Sequence, residues 1–259
     1  MKQPMRVFEG NAQPYEPFWK VRDAAEAESG EPEMEMYGYI SEFSWWGDEI
    51  TPKKFKDDLN RLGNGGPVTV RINSGGGEVF AASVIRSIIM DYPGRVTTRI
   101  DGLCASAATF VAMAGDVVKM QDTGYFMIHD PSTIAWGTIE ELKLVLDFLK
   151  TIKSGLVDVY QVRTKLEPEK LARMMTDETW LTAKEAQELG FVDEVIGASK
   201  KQNLSNLAGK SAIMNAMTNY QHVPEALRAL LSAPEQPVNQ TAVEPAELAR
   251  LRAEVKFYV

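Results

Sequence analysis

A serine hydroxyl becomes a nucleophile only when a neighbouring base can take its proton, and this sequence offers two histidines for that work, His129 and His222. His129 follows the apolar run Tyr125-Phe126-Met127-Ile128 and precedes Asp130-Pro131, which puts it at the end of a strand, whereas His222 falls in a polar stretch near the C-terminus. Any Ser/His mechanism therefore points to His129, against the bland alternative of a structural histidine. The matching serine is Ser106, in Gly102-Leu103-Cys104-Ala105-Ser106-Ala107-Ala108, at the turn into an alanine-rich helix. Small neighbours leave room for a substrate, and a helix start favours negative charge near the hydroxyl. Serine is also a common helix cap, and alanines simply pack well, so the segment alone does not decide. Cys104 has nothing electropositive beside it in sequence to form a thiolate, which reads as a buried structural thiol.

Two further groups complete a plausible set. The run Ile72-Asn73-Ser74-Gly75-Gly76-Gly77 lies between a strand and a helix, where glycines let backbone N–H groups approach a substrate. It lacks both the Lys-Ser/Thr ending of a phosphate loop and the full dinucleotide spacing. An oxyanion hole is the other functional reading, and a plain turn competes with both. Asp177-Glu178-Thr179-Trp180-Leu181-Thr182-Ala183 puts acids ahead of a short apolar run and a helix, where ordinary first-turn acidity is the competing reading.

Composition narrows the classes around these residues. Lys plus Arg number 28 against 36 for Asp plus Glu, a net charge of −8, so the phosphate-neutralising surface of a nucleic-acid binder is missing overall. One cysteine permits no intrachain disulfide and is compatible with a reducing cytoplasm. With two histidines and one cysteine a zinc site is hard to assemble, and no metal or cofactor is expected. Met1 to Gly10 lacks the apolar centre of a secretory signal. The longest apolar stretch, Gly102 to Gly115, is too short to span a bilayer and reads as a buried helix.

The elements that must position these groups alternate between strand and helix. Residues 1–35, with four prolines and an acidic run, read as an irregular arm, and regular structure is expected from Met36, with Met36 to Ile40 as a strand. Thr51-Pro52 opens a helix with Phe55, Leu59 and Leu62 on one face; Val68 to Asn73 is a strand and Val79 to Ile89 a helix. Arg95 to Ile100 reads as a strand, Asp101-Gly102 as a turn, and Ser106 to Ala114 as a helix. Strands follow at Val117 to Met120 and Tyr125 to His129, then a long amphipathic helix from Ile139 to about Thr164. Short helices at Pro168 to Met175 and Ala183 to Leu189 precede a strand at Phe191 to Val195. This alternation implies an α/β fold with a largely parallel sheet. The domain is expected to cover 36–197, with a polar linker and C-terminal tail over 198–259.

Taken together, the constellations resemble the ClpP-type serine peptidases, and more closely the ClpP-related head maturation proteases of tailed phages. The likeness spans Tyr37 to Val195 and includes Trp45-Trp46-Gly47-Asp48, the Ile72 to Gly77 loop, Gly102 to Ser106, Ala112 to Asp116, Met127 to His129, and Glu178 to Ala183. It implies a ClpP/crotonase-like fold of repeated ββα units with flexible N- and C-terminal segments. Ser106 would be the nucleophile, His129 the general base and Glu178 the acid, with the adjacent Asp177 as an alternative. Gly77 and the N–H of Ala107 match the oxyanion-hole donors, with Gly76 supporting the turn. Two departures stand out: Gly75 replaces the family's usual proline, and Ala107 replaces a larger residue after the nucleophile.

The implied role is that of a serine endopeptidase that forms an acyl-enzyme and processes scaffold or major capsid protein during prohead maturation in the bacterial host cytoplasm. The resemblance also implies a ring-like homo-oligomer, protein substrates, and no nucleic acid or membrane partner; an ATP-driven unfoldase is not required. Two alternatives come from other classes. One is an inert procapsid assembly protein whose tail acts as scaffold; the other is a crotonase-type acyl-CoA enzyme, which has no need of Ser106 and His129 together. A related Ser-Lys signal-peptide peptidase fits less well, given the His129 match and the lack of a membrane segment.

Overall fold

The computed structural model describes residues 21–27, 30–44, 49–197, 220–225 and 227–228. The Trp45 to Asp48 motif and most of the expected arm and tail lie outside them. The chain divides into two compact units, Met1–Glu225 and Ala226–Val259; of the second, Leu227 and Arg228 are described, both helical.

The elements run β1 (Val21–Arg22), β2 (Glu33–Tyr37), α1 (Pro52–Gly63), β3 (Val68–Ser74), α2 (Val79–Met90), β4 (Val96–Ala105), α3 (Ala107–Ala112), β5 (Val117–Gln121) and β6 (Tyr125–Ile128). Then follow α4 (Ile139–Thr164), α5 (Pro168–Thr176), β7 (Thr179–Thr182), α6 (Ala183–Glu188) and β8 (Glu194–Ile196). The sheet is ordered β1-β2-β3-β4-β5-β8, with β6 joined to β4 and β7 to β6. Pairing is parallel except for β1 with β2 and β6 with β7. This is an α/β fold with a largely parallel sheet, as expected from the sequence.

Local chemistry explains the helix starts. Thr51 is extended and its hydroxyl accepts the Lys54 N–H, while Pro52 occupies the first turn, where no N–H is needed. Thr138 and Thr182 open α4 and α6 with reciprocal capping boxes to Glu141 and Glu185. The core is continuous across the sheet, with Met34, Met36, Ile72, Ile85, Ile100, Met120, Phe126 and Phe191 fully buried.

Several expectations need correcting. The first long strand covers Glu33–Tyr37 rather than 36–40. Its acidic residues are not solvated: Glu33 and Glu35 are buried, held by Arg22 and Arg71 from the flanking strands. Asp101-Gly102 is no turn, because β4 runs straight through it. The Asp101 carboxylate accepts from Arg71 Nε at 2.6 Å and from the Tyr37 hydroxyl at 2.5 Å, so a residue that usually ends strands is satisfied inside one. The apolar stretch read as one buried helix is strand up to Ala105 and helix only from Ala107 to Ala112. At the far edge, Phe191 and Val192 both donate their N–H to the Ala186 carbonyl, which delays pairing with β5 until Glu194. Thr179–Thr182, read only as an apolar run, is a strand. Helix α4 buries Leu156, Val157 and Tyr160, whereas Leu142, Leu144, Leu146 and Phe148 on its first half are exposed. Among the described residues, no helix is long and apolar enough to cross a membrane.

The cluster around Arg71 yields a stability prediction. Desolvation works against the Arg71 charge, but Asp101, Tyr37 and Glu33 outweigh it and hold the guanidinium protonated. Arg71→Met leaves Glu33, Glu35 and Asp101 without that cation in a largely dry position. Urea unfolding should show a loss of about 3 kcal/mol; a loss under about 1 kcal/mol would mean that water reaches the carboxylates and the cluster is not a closed unit.

Candidate active site

Ser106 stands at the junction where β4 ends and α3 begins, with φ 55° and ψ −128°. A positive φ costs a non-glycine residue about 1–3 kcal/mol, so the surroundings must hold it there. They do so from both sides. The Ser106 N–H donates to the Met127 carbonyl of β6 at 2.9 Å. Its carbonyl accepts the Thr109 N–H at 3.0 Å and the Thr109 hydroxyl at 2.6 Å. Because the Thr109 proton is engaged there, the buried Tyr160 hydroxyl of α4 donates to Thr109 Oγ1 at 2.7 Å. The elbow thus ties β6 and α4 to the turn that presents the serine.

His129 follows β6, and its Nε2 lies 2.7 Å from Ser106 Oγ. Burial lowers its pKa, and the opposing pull of Glu178 and Asp130 does not compensate, so the imidazole is held neutral. A neutral ring with its proton on Nδ1 accepts the serine proton at Nε2. Glu178 immediately precedes β7. The antiparallel ladder ends with Ile128 paired to Thr179, which leaves His129 and Glu178 at the same end of it, near enough for each charge to act on the other. Glu178 also has positive φ, 48°. Among the described residues no hydrogen bond joins it to His129; the carboxylate instead accepts the N–H groups of Gln221 at 2.8 Å and His222 at 2.7 Å, and the Trp180 indole at 3.1 Å. Burial raises its pKa, but those three donors and His129 outweigh that, and the carboxyl titrates below the usual range. Asp177 ends α5 and is not among the groups acting on His129.

The glycine loop closes the other side. Ser74 Oγ donates to the Gly38 carbonyl and accepts the Gly76 N–H, while Asn73 Oδ1 takes the Leu103 N–H where the β3–β4 register shifts. Gly76 has φ 94°, and a Cβ there would lie 2.8 Å from Ser106 Cβ and 3.0 Å from the Ala107 nitrogen. Gly77, at φ 150°, is pressed against Ile40, whose carbonyl would meet a Cβ at 2.1 Å. Only glycine fits either position. Gly75 uses its carbonyl to accept the Tyr220 hydroxyl.

Beside Ser106 opens a cleft walled by Val79, Ala82, Phe110, Pro131, Leu156 and Tyr160. Cys104 is fully buried in β4, and desolvation pushes its thiol well above the ordinary range, which leaves it protonated and out of reach. The structure thus brings Ser106, Ala107 and His129 onto one cleft, with Gly76 of the glycine loop packed against Ser106, Gly77 following it, and Glu178 acting on His129 from behind. Tyr220 packs against His129, and Gln221 and His222 against Glu178. They sit in a polar tail with no periodicity, and no local signal ties them to partners that lie from 43 residues away, at Glu178, to 145 residues away, at Gly75.

The Clp protease family matches residues 59–199, more than half of the chain. Among curated proteins, the chain is 31% identical over 131 residues to the ATP-dependent Clp protease proteolytic subunit 2 of Thermobifida fusca, covering 50% of this chain and 64% of that protein. It is 30% identical over 131 residues to proteolytic subunit 3 of Streptomyces coelicolor, covering 50% and 60%. The match thus spans less than two thirds of each of these relatives. A solved structure of a ClpP1 mutant from Listeria monocytogenes superposes with a TM-score of 0.56 at 22% identity, covering 64% of this chain and 91% of that one, a likeness in fold. On the family match and this shared fold, the chain belongs to the Clp protease family.

Proposed function

We propose that this protein is a serine endopeptidase, with Ser106 as nucleophile and His129 as general base. The observation that carries the reading is the 2.7 Å contact between Ser106 Oγ and His129 Nε2 at a strained elbow. Ser106 Oγ attacks the peptide carbonyl carbon as its proton passes to Nε2. The resulting oxyanion sits between the N–H groups of Gly77 and Ala107, with Gly76 supplying the side-chain-free space. His129 returns the proton to the leaving amine, giving an acyl-enzyme. Water then attacks the ester carbonyl, again losing its proton to His129, and the acid product leaves as Ser106 Oγ regains a proton. Glu178 is the acid of the set; its place across the ladder and its action on His129 favour it over Asp177. The apolar cleft walls suit an apolar side chain next to the scissile bond.

The peptidase unit in this reading is built on the expected 36–197 segment, with β1 and the first residues of β2 joined to its sheet from the N-terminal side. Its substrates are scaffold or capsid proteins during prohead maturation, as the sequence motifs suggest, with no unfoldase required. The exposed apolar side chains on the first half of α4, Leu144 at 71% and Leu146 at 56%, support contact with further copies of the chain in a ring.

Three outcomes follow. Wild type and Ser106→Ala, each co-expressed with any capsid protein encoded beside it, should differ in intact mass: cleavage products with the first and none with the second. Matching profiles would leave an assembly protein with an unused serine. Because the free chain holds His129 neutral, kcat/KM for peptide hydrolysis should be lost as pH falls only through a midpoint below the ordinary histidine value of about 6.5; a midpoint at or above it contradicts the buried, neutral base. Leu144→Glu combined with Leu146→Glu should convert the ring to smaller species in light scattering, and an unchanged mass would move the contact elsewhere.

A further inference from the structure

Residues 220–225 belong to the same compact unit as the Ser106 site and lie against it. The Tyr220 ring stands edge-on to His129, centroids 5.3 Å apart at 84°, and edge-on to Trp180, 5.8 Å at 76°. Its hydroxyl reaches past the serine to donate to the Gly75 carbonyl on the opposite wall. Burial pushes that phenol up to about 12, with the neighbouring Ser106 hydroxyl pulling the other way. Val223 is buried beyond it. The next two N–H groups, of Gln221 and His222, clamp the two oxygens of Glu178.

These contacts oppose turnover in two independent ways. A ring bridging the glycine loop and the imidazole occupies the space that a substrate carbonyl must enter. Two backbone donors draw the two oxygens of the carboxylate, which would otherwise orient His129, toward the tail. What faces Ser106 is a phenol, which has no acyl group to transfer, so the segment blocks the site without being cut at that point.

We propose that Tyr220 to Glu225 form a cis-acting cover that competes with substrate for the Ser106 site and releases Glu178 to His129 when displaced. The inference rests on the serine-peptidase reading of this site. It goes beyond that reading by assigning the tail a role in regulating the same serine.

A fluorophosphonate, which bonds to an activated serine, is the direct probe. The full-length chain, Tyr220→Ala and Gln221→Pro are each treated with it and followed by intact mass, with Ser106→Ala as the blank. Gln221→Pro deletes one donor to Glu178 without touching the aromatic ring, so the two variants test the cover through different contacts. Labelling of Ser106 should be about tenfold faster or more in both, the ratio expected when the covered state dominates. Wild type labelling as fast as both variants overturns the cover. If no version labels, the serine-peptidase reading fails, and the cover is judged on the His129 NMR titration, assigned with His222→Gln. A His129 pKa that rises in Tyr220→Ala, as water reaches the ring, upholds the cover; an unchanged titration overturns it.

Discussion

The backbone of Ser106 sits where an L-residue does not want to be, and much of the domain is arranged around that fact. A left-handed φ at the end of β4 turns the chain sharply into α3 and leaves the side chain standing clear of both elements. The strain persists because three separate parts of the fold hold the turn: β6 through the Met127 carbonyl, α3 through Thr109, and α4 through Tyr160. The glycine loop is fitted against the same turn so closely that a single methyl at position 76 would strike the Ser106 Cβ. Positioning in this site is a matter of packing and backbone hydrogen bonds, and the reactive side chains inherit it.

The parallel sheet supplies the rigid frame. Its strands β2, β3 and β4 are buried over most of their length, and the cluster of Glu33, Glu35, Arg71, Arg99, Asp101 and Tyr37 lets charged residues share those strands with Met, Val and Ile. An apolar replacement of the whole cluster could be as stable, but removal of one member leaves the rest unpaired. The result is a sheet whose interior strands tolerate a register shift at Ile72 to Ser74 without fraying, since Asn73 bonds Leu103 across it.

How much of this was legible beforehand varies with the kind of signal. Helices α1, α2 and α4 were legible from caps and apolar spacing, and the strands bearing Ile72 and Ile128 from their β-branched and apolar runs. Ser106 and His129 stood out because the chain has so few histidines and because a serine among small residues at an element junction is chemically suggestive. Glu33 and Glu35 misled, since acidity next to proline normally means solvent and the pairing arginine lies in another strand. Asp101-Gly102 misled for the same reason, its partners Arg71 and Tyr37 being far off in sequence. Tyr220 was illegible: its partners His129, Trp180 and Gly75 are brought to it only by the finished fold.

The ladder between β6 and β7 has a consequence of its own. His129 and Glu178 come to the same end of this ladder because Ile128 pairs with Thr179 as its last step. Side chains alternate along a strand, so a slip of one residue would turn the carboxylate to the opposite side of the sheet, and a slip of two would carry it about 7 Å along the strand. The ladder's contribution to the spacing of base and acid is therefore discrete, changed by a register slip only in whole-residue jumps. Fine adjustment is left to side-chain length, which is where a glutamate differs from an aspartate by one methylene.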